Sequence, residues 1–82
     1  MKHILFLIVF LPIIMWSQSN FKQGEKLFKE EKYQAAQDVF ESFLKTNPTE
    51  LKTIEYLGDI AGQSKLWGKA LSYYKKLKNL NP

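Results

Sequence analysis

GEKLFKEEKYQAAQDVFESFLKTNP at 24–48 and GDIAGQSKLWGKALSYYKKLKNLNP at 58–82 are two readings of one pattern, 34 residues apart. Gly24 recurs as Gly58, Tyr33 as Trp67, Ala36 as Ala70, Phe40 as Tyr74 and Phe43 as Leu77. Both stretches close on the same dipeptide, Asn47-Pro48 and Asn81-Pro82, and no insertion breaks the register. A fixed period of this size marks a stacked-repeat architecture, in which no unit can bury its apolar face alone. Such a unit serves contact with neighbours and partners rather than chemistry.

Each unit reads as two helices. Asn20, with Gln23 three residues on, makes a capping box for the first, and Phe21, Gly24, Leu27 and Phe28 keep a helical spacing behind it. Glu30-Glu31-Lys32 is a polar turn. Tyr33, Ala36, Val39, Phe40, Phe43 and Leu44 then form a wide apolar helical face, and Pro48 ends it by pushing Asn47 out of the α region. Thr49 is the expected cap of the third helix, with Glu50 in its first turn, and Leu51, Ile54, Leu57, Ile60 and Ala61 are its buried face. The fourth helix runs from about Leu66 to Leu80. No strand-like alternation occurs, and the short turns make neighbouring helices antiparallel. Gly24, Ala36, Gly58 and Ala70 are small where helices must approach closely, since axial separation follows side-chain size at the crossing. Tyr33 and Trp67 are expected to fill the wedge between hairpin partners.

Outward from the repeat, the chain begins with Lys2 and His3, a nearly unbroken apolar run from Ile4 to Trp16, and the small polar stretch Ser17-Gln18-Ser19-Asn20. This is the layout of a secretory signal peptide. Cleavage after Ser19 and cleavage after Ser17 both satisfy the demand for small residues. The alternative, an uncleaved membrane anchor, has only a thirteen-residue run, apolar but for Pro12 that interrupts it, short of the ~20 that span hydrocarbon. The expected division is a signal peptide over 1–19, one unit over 20–48 and a second over 49–82, with export to the periplasm as the destination.

The 63 residues after that cut form a small core, and domains of this size are marginal unless something staples them. No cysteine is present to do so. Charge is uneven: residues 20–59 hold six lysines against eight acids, whereas 60–82 hold Lys65, Lys69, Lys75, Lys76 and Lys78 and no acid. Such asymmetry can mark an anionic partner, but it reads better as a solvated lysine face or as a face that meets acidic residues on a following helix.

At these positions the chain resembles the tetratricopeptide repeat, a 34-residue helix–turn–helix unit. The resemblance covers 20–82. Its signature places are held in the second unit by Ile54, Leu57, Gly58, Ala61, Trp67, Ala70, Tyr74, Leu77 and Pro82. In the first they are held by Gly24, Leu27, Tyr33, Ala36, Phe40, Phe43 and Pro48. The first unit departs from the family at Asn20 and Gln23, where apolar residues are usual. The resemblance implies an all-α fold, two antiparallel helix-turn-helix hairpins stacked as a short right-handed α-solenoid. It further implies a partner-binding groove lined by the first helix of each unit: Phe21, Glu25, Phe28, Lys29, Lys52, Glu55, Tyr56, Asp59 and Gln63. Phe21 and Glu25 stand where the family's carboxylate clamp needs Lys and Asn, so a mixed or basic peptide surface suits this groove better than a C-terminal carboxylate.

The chemical inventory is thin. The only histidine is His3, and the mature chain has no His, Cys or Arg, which excludes Ser–His and Cys–His nucleophiles and His- or Cys-based zinc sites. Glu30-Glu31 lies in a turn and Glu55 with Asp59 on a helical face, so neither pair reads as an acid–base couple. The expectation is no enzyme, no cofactor and no metal. Nucleic acid is not an expected partner, since the aromatics among the lysines fall on packing positions. The fourth helix carries two apolar stripes, Leu66, Ala70, Tyr73, Leu77 and Leu80, and beside it Trp67, Leu71 and Tyr74. Terminal repeats normally present a polar outer face. Tyr73, Leu77 and Leu80 are therefore expected to form an apolar end face that takes further repeat units, self-associates or meets a protein partner. Two functional readings follow: an exported protein-interaction module, or the structural opening of a longer solenoid with no ligand of its own.

Overall fold

The computed structural model describes residues 20–82, so the signal-peptide reading of 1–19 lies outside the described residues. Four helices follow one another: α1 over 20–29, α2 Tyr33–Thr46, α3 Leu51–Gln63 and α4 Trp67–Leu80. No strand occurs among the described residues.

The 34-residue period is written in the backbone as well as in the side chains. Glu31, after α1, and Lys65, after α3, both take a left-handed conformation, at φ 61° and 60°. Each closes its helix in a Schellman arrangement. Lys32 N–H donates to the Leu27 carbonyl and Glu31 N–H to that of Phe28, while Leu66 N–H donates to Ala61 and Lys65 N–H to Gly62. Lys32 and Leu66 then open α2 and α4 with near-identical dihedrals, φ −88°, ψ 70° and φ −90°, ψ 73°. Asn47 and Asn81 end those helices alike, at φ −136° and −140°.

Two expected caps are corrected. Glu50, not Thr49, caps α3: its backbone is extended and its carboxylate accepts from Lys52 N–H at 3.2 Å. Pro48 and Thr49 are used up in the turn after α2, which closes when Glu50 N–H donates to the Asn47 carbonyl. Asn20 is already helical rather than a cap.

α1 and α2 run antiparallel, because residues early in one meet residues late in the other: Phe21 with Phe43, Gly24 with Phe40, Phe28 with Tyr33. α3 packs against both α2 and α4. The core is a cluster of Ala36, Phe40, Leu57 and Ile60, with Ile54, Ala61 and Ala70 also buried. Burying a side chain such as Phe40 contributes about 1.5–3 kcal/mol. The expected small-residue approach takes a definite form: Gly24 lies under the Phe40 ring and Gly58 under the Tyr74 ring, sixteen residues on in each unit. A Cβ at Gly24 would meet Phe40 at 2.6 Å, and one at Gly58 would meet Tyr74 at 2.7 Å.

Candidate partner-binding surfaces

The two surfaces are built around one tyrosine each. Tyr56 of α3 stacks flat on Phe40, with ring centroids 4.8 Å apart and planes 10° from parallel. Its edge meets Phe21 and Phe28 of α1 at 6.1 and 5.0 Å. Its hydroxyl donates to the Glu25 carboxylate at 2.9 Å. One side chain thereby ties α3 to both helices of the first unit. Burial first, and then the hydrogen bond to Glu25, push the Tyr56 hydroxyl above its usual pKa, because both disfavour the phenolate.

Four of the nine residues expected to line a groove, Phe21, Glu25, Phe28 and Tyr56, are therefore brought together as a half-buried cluster continuous with the core. Lys29, Lys52, Glu55 and Gln63 are exposed. Asp59 is half-buried and engaged elsewhere, accepting a hydrogen bond from the Tyr74 hydroxyl at 2.5 Å. An open depression of about 510 Å³ lies between α2 and α4, lined by Asp38, Glu41, Ser42, Lys45 and Lys76 among others, and none of the groove residues borders it.

On α4 the two stripes part company. Ala70 is buried, and Tyr73 and Leu77 are half-buried, Tyr73 packing against the core cluster; Leu80 is exposed. The adjacent stripe is the open one: Trp67 is 66% exposed, Leu71 54% and Tyr74 39%. Comparison with the first unit explains why. Tyr33 packs edge-on against Phe28, but the place of Phe28 is held by Gly62, which has nothing within 4 Å of where a Cβ would be. Trp67 therefore has no wedge to fill, contrary to expectation. Phe40 is fully buried because Tyr56 covers it, and no described helix covers Tyr74 in the same way. The Tyr74 ring is held by Gly58 beneath it and by the Asp59 hydrogen bond at its hydroxyl. That bond, followed by burial and the charges of Asp59 and Glu55, pushes the hydroxyl pKa up to about 12.

Sequence reasoning missed both tyrosine–carboxylate bonds and the sixteen-residue glycine–ring pairing. The second was detectable, because Gly24 to Phe40 and Gly58 to Tyr74 share a spacing inside a repeat already recognised. Among the described residues no group of three or more acidic or imidazole side chains is placed to hold a metal ion. No described helix is long and apolar enough to cross a membrane. Comparison of the chain with protein-family models, curated proteins and solved structures gives no match.

Proposed function

We propose that this chain is an exported protein-interaction module of tetratricopeptide type, its two hairpins stacked as a short solenoid and a peptide held along α1 and α3. The single observation that carries the reading is the 34-residue recurrence in three dimensions: equal left-handed turns at Glu31 and Lys65, and equal glycine–ring seats at Gly24 and Gly58. In such a stack the first helices line one face. Here that face carries Lys29, Lys52 and Glu55 at the rim and the edges of Phe21, Phe28 and Tyr56 beneath it. Exposed charges of both signs select a peptide by complementarity more than by net attraction, and the aromatic edges supply apolar area. Export rests on the charged start, apolar run and small residues before position 20.

A peptide array followed by calorimetry tests the groove. Charge exchange in Lys52→Glu with Glu55→Lys, both exposed, should leave helicity unchanged and alter which peptides bind. A folded chain that binds nothing across the array favours the second reading, a structural opening of a longer array, to which the exposed stripe on α4 also speaks. Mass spectrometry of the chain after expression in an exporting host should find an N-terminus at Gln18 or Asn20. An intact Met1 would speak for the anchor.

A further inference from the structure

Glu25 and Asp59 each follow a seat glycine and stand 34 residues apart, so they are one position of the repeat. Both accept a hydrogen bond from a tyrosine, but the two donors come from different places. Glu25 accepts from Tyr56, 31 residues on, at 2.9 Å, and Tyr56 belongs to the next unit. Asp59 accepts from Tyr74, 15 residues on, at 2.5 Å, and Tyr74 is the ring seated on the neighbouring Gly58 of its own hairpin. Two substitutions within the repeat accompany the change. The seated ring is Phe40 in the first unit, with no hydroxyl to give, and Tyr74 in the second. The acid is Glu25 in the first unit, one methylene longer than Asp59. With no donor on its own seated ring, the longer acid is met by the hydroxyl of the ring that stacks on Phe40, centroids 4.8 Å apart.

We infer that acid and seated ring act as a matched pair that sets which tie a unit makes: Glu25 with Phe40 ties α1 to the following unit, and Asp59 with Tyr74 latches α3 to its own α4. The latch has work to do in the second unit. Phe40 is fully buried under Tyr56, whereas Tyr74 is 39% exposed and has no described helix laid over it. Its hydroxyl bond does for Tyr74 what the Tyr56 ring does for Phe40, keeping the ring down on its glycine and α4 packed on α3. Ring and acid have to change together. A carboxylate accepts from several donors, so a hydroxyl added at the ring would not by itself take a long acid away from Tyr56. Shortening the acid withdraws its oxygens from the neighbouring helix. Both ties lie within the described helices, and they are independent of peptide binding and of anything that comes to rest on α4.

Double-mutant cycles on the full chain, read by urea unfolding, test the pairing. In the parent chain Tyr56→Phe should lower the folding equilibrium constant about fivefold to tenfold, the effect of one hydrogen bond to a carboxylate. In a chain carrying Glu25→Asp with Phe40→Tyr, the second unit's pair written into the first, Tyr56→Phe should lower it by less than about twofold. Phe40 is fully buried, and a hydroxyl there can unfold the chain, so Glu25→Asp alone, at a half-buried position, is the second background. It too should remove most of the effect of Tyr56→Phe. In the second unit, Tyr74→Phe and Asp59→Ala should each lower the constant several-fold, and together no further than either does singly. A Tyr56→Phe effect that survives Glu25→Asp undiminished, or losses from Tyr74→Phe and Asp59→Ala that simply add, would each overturn the inference.

Discussion

At Gly24 an added methyl group would press on the Phe40 ring, which is fully buried and cannot yield, whereas at Gly58 it would press on Tyr74, a ring at the surface that can swing outward. Gly62 and Gly68 have open space where a methyl would go. The four glycine-to-alanine variants should therefore separate. Gly24→Ala should lose about 1–3 kcal/mol to overpacking. Gly58→Ala should lose less, and Gly62→Ala and Gly68→Ala should each gain roughly 0.5–1 kcal/mol from helix propensity. Urea midpoints rank them, and a Gly24→Ala protein as stable as its parent would refute the packing described. Thr53 is the other residue at odds with its surroundings: it is fully buried and its hydroxyl has no hydrogen-bond partner. An unmade buried bond costs about 1–3 kcal/mol, so Thr53→Val should raise thermal stability measurably. A lower melting temperature would mean that the hydroxyl is satisfied in solution.

Among the elements, the two turns that follow α1 and α3 are built against local preference. A left-handed residue without a glycine's freedom costs roughly 1–2 kcal/mol, and Glu31 and Lys65 both bear that cost. Replacing either by glycine should stabilise the chain by up to about 1 kcal/mol, read as a higher denaturation midpoint. Loss of stability would show that the side chains contribute something the geometry does not reveal. All four helices were legible from apolar spacing, and the end of α2 from Asn47-Pro48, because periodicity and proline act locally. The start of α3 was not. Thr49 and Glu50 are both competent caps, and the choice was made by the turn through Pro48, which left Glu50 with the extended backbone. The exposure of Trp67 was equally hidden, since it depends on Gly62 lacking the ring that Phe28 gives Tyr33.

For the molecule as a whole, tyrosine ionisation should limit stability on the alkaline side. Tyr56, Tyr73 and Tyr74 have pKa values raised above 10, Tyr74 to about 12. A folded-state pKa above the unfolded one means that the unfolded chain releases the proton first. The stability these groups contribute is complete below pH 10 and disappears as pH rises through the folded values. Helicity should thus fall between about pH 10 and 12, and Tyr74→Phe should make the loss shallower. An unchanged profile would argue that the Asp59 bond is absent in solution. Of the expected groove, the resemblance named the residues, but not that Phe21 and Tyr56 turn their rings toward Phe40 while Phe28 meets Tyr33 and Tyr56. Periodicity places side chains on a helix; the partner helix determines how deep they go.

The position of Tyr56 also governs how the structure comes apart. Lifting α3 away would uncover Phe21, Phe28 and Phe40 together and strip Glu25 of its donor. A half-detached state thus has little to recommend it, and the unit 20–48 excised alone should be a fluctuating, dye-binding globule. Melting of the intact chain should accordingly be all-or-none, with ellipticity and tyrosine fluorescence tracing a single superimposable curve.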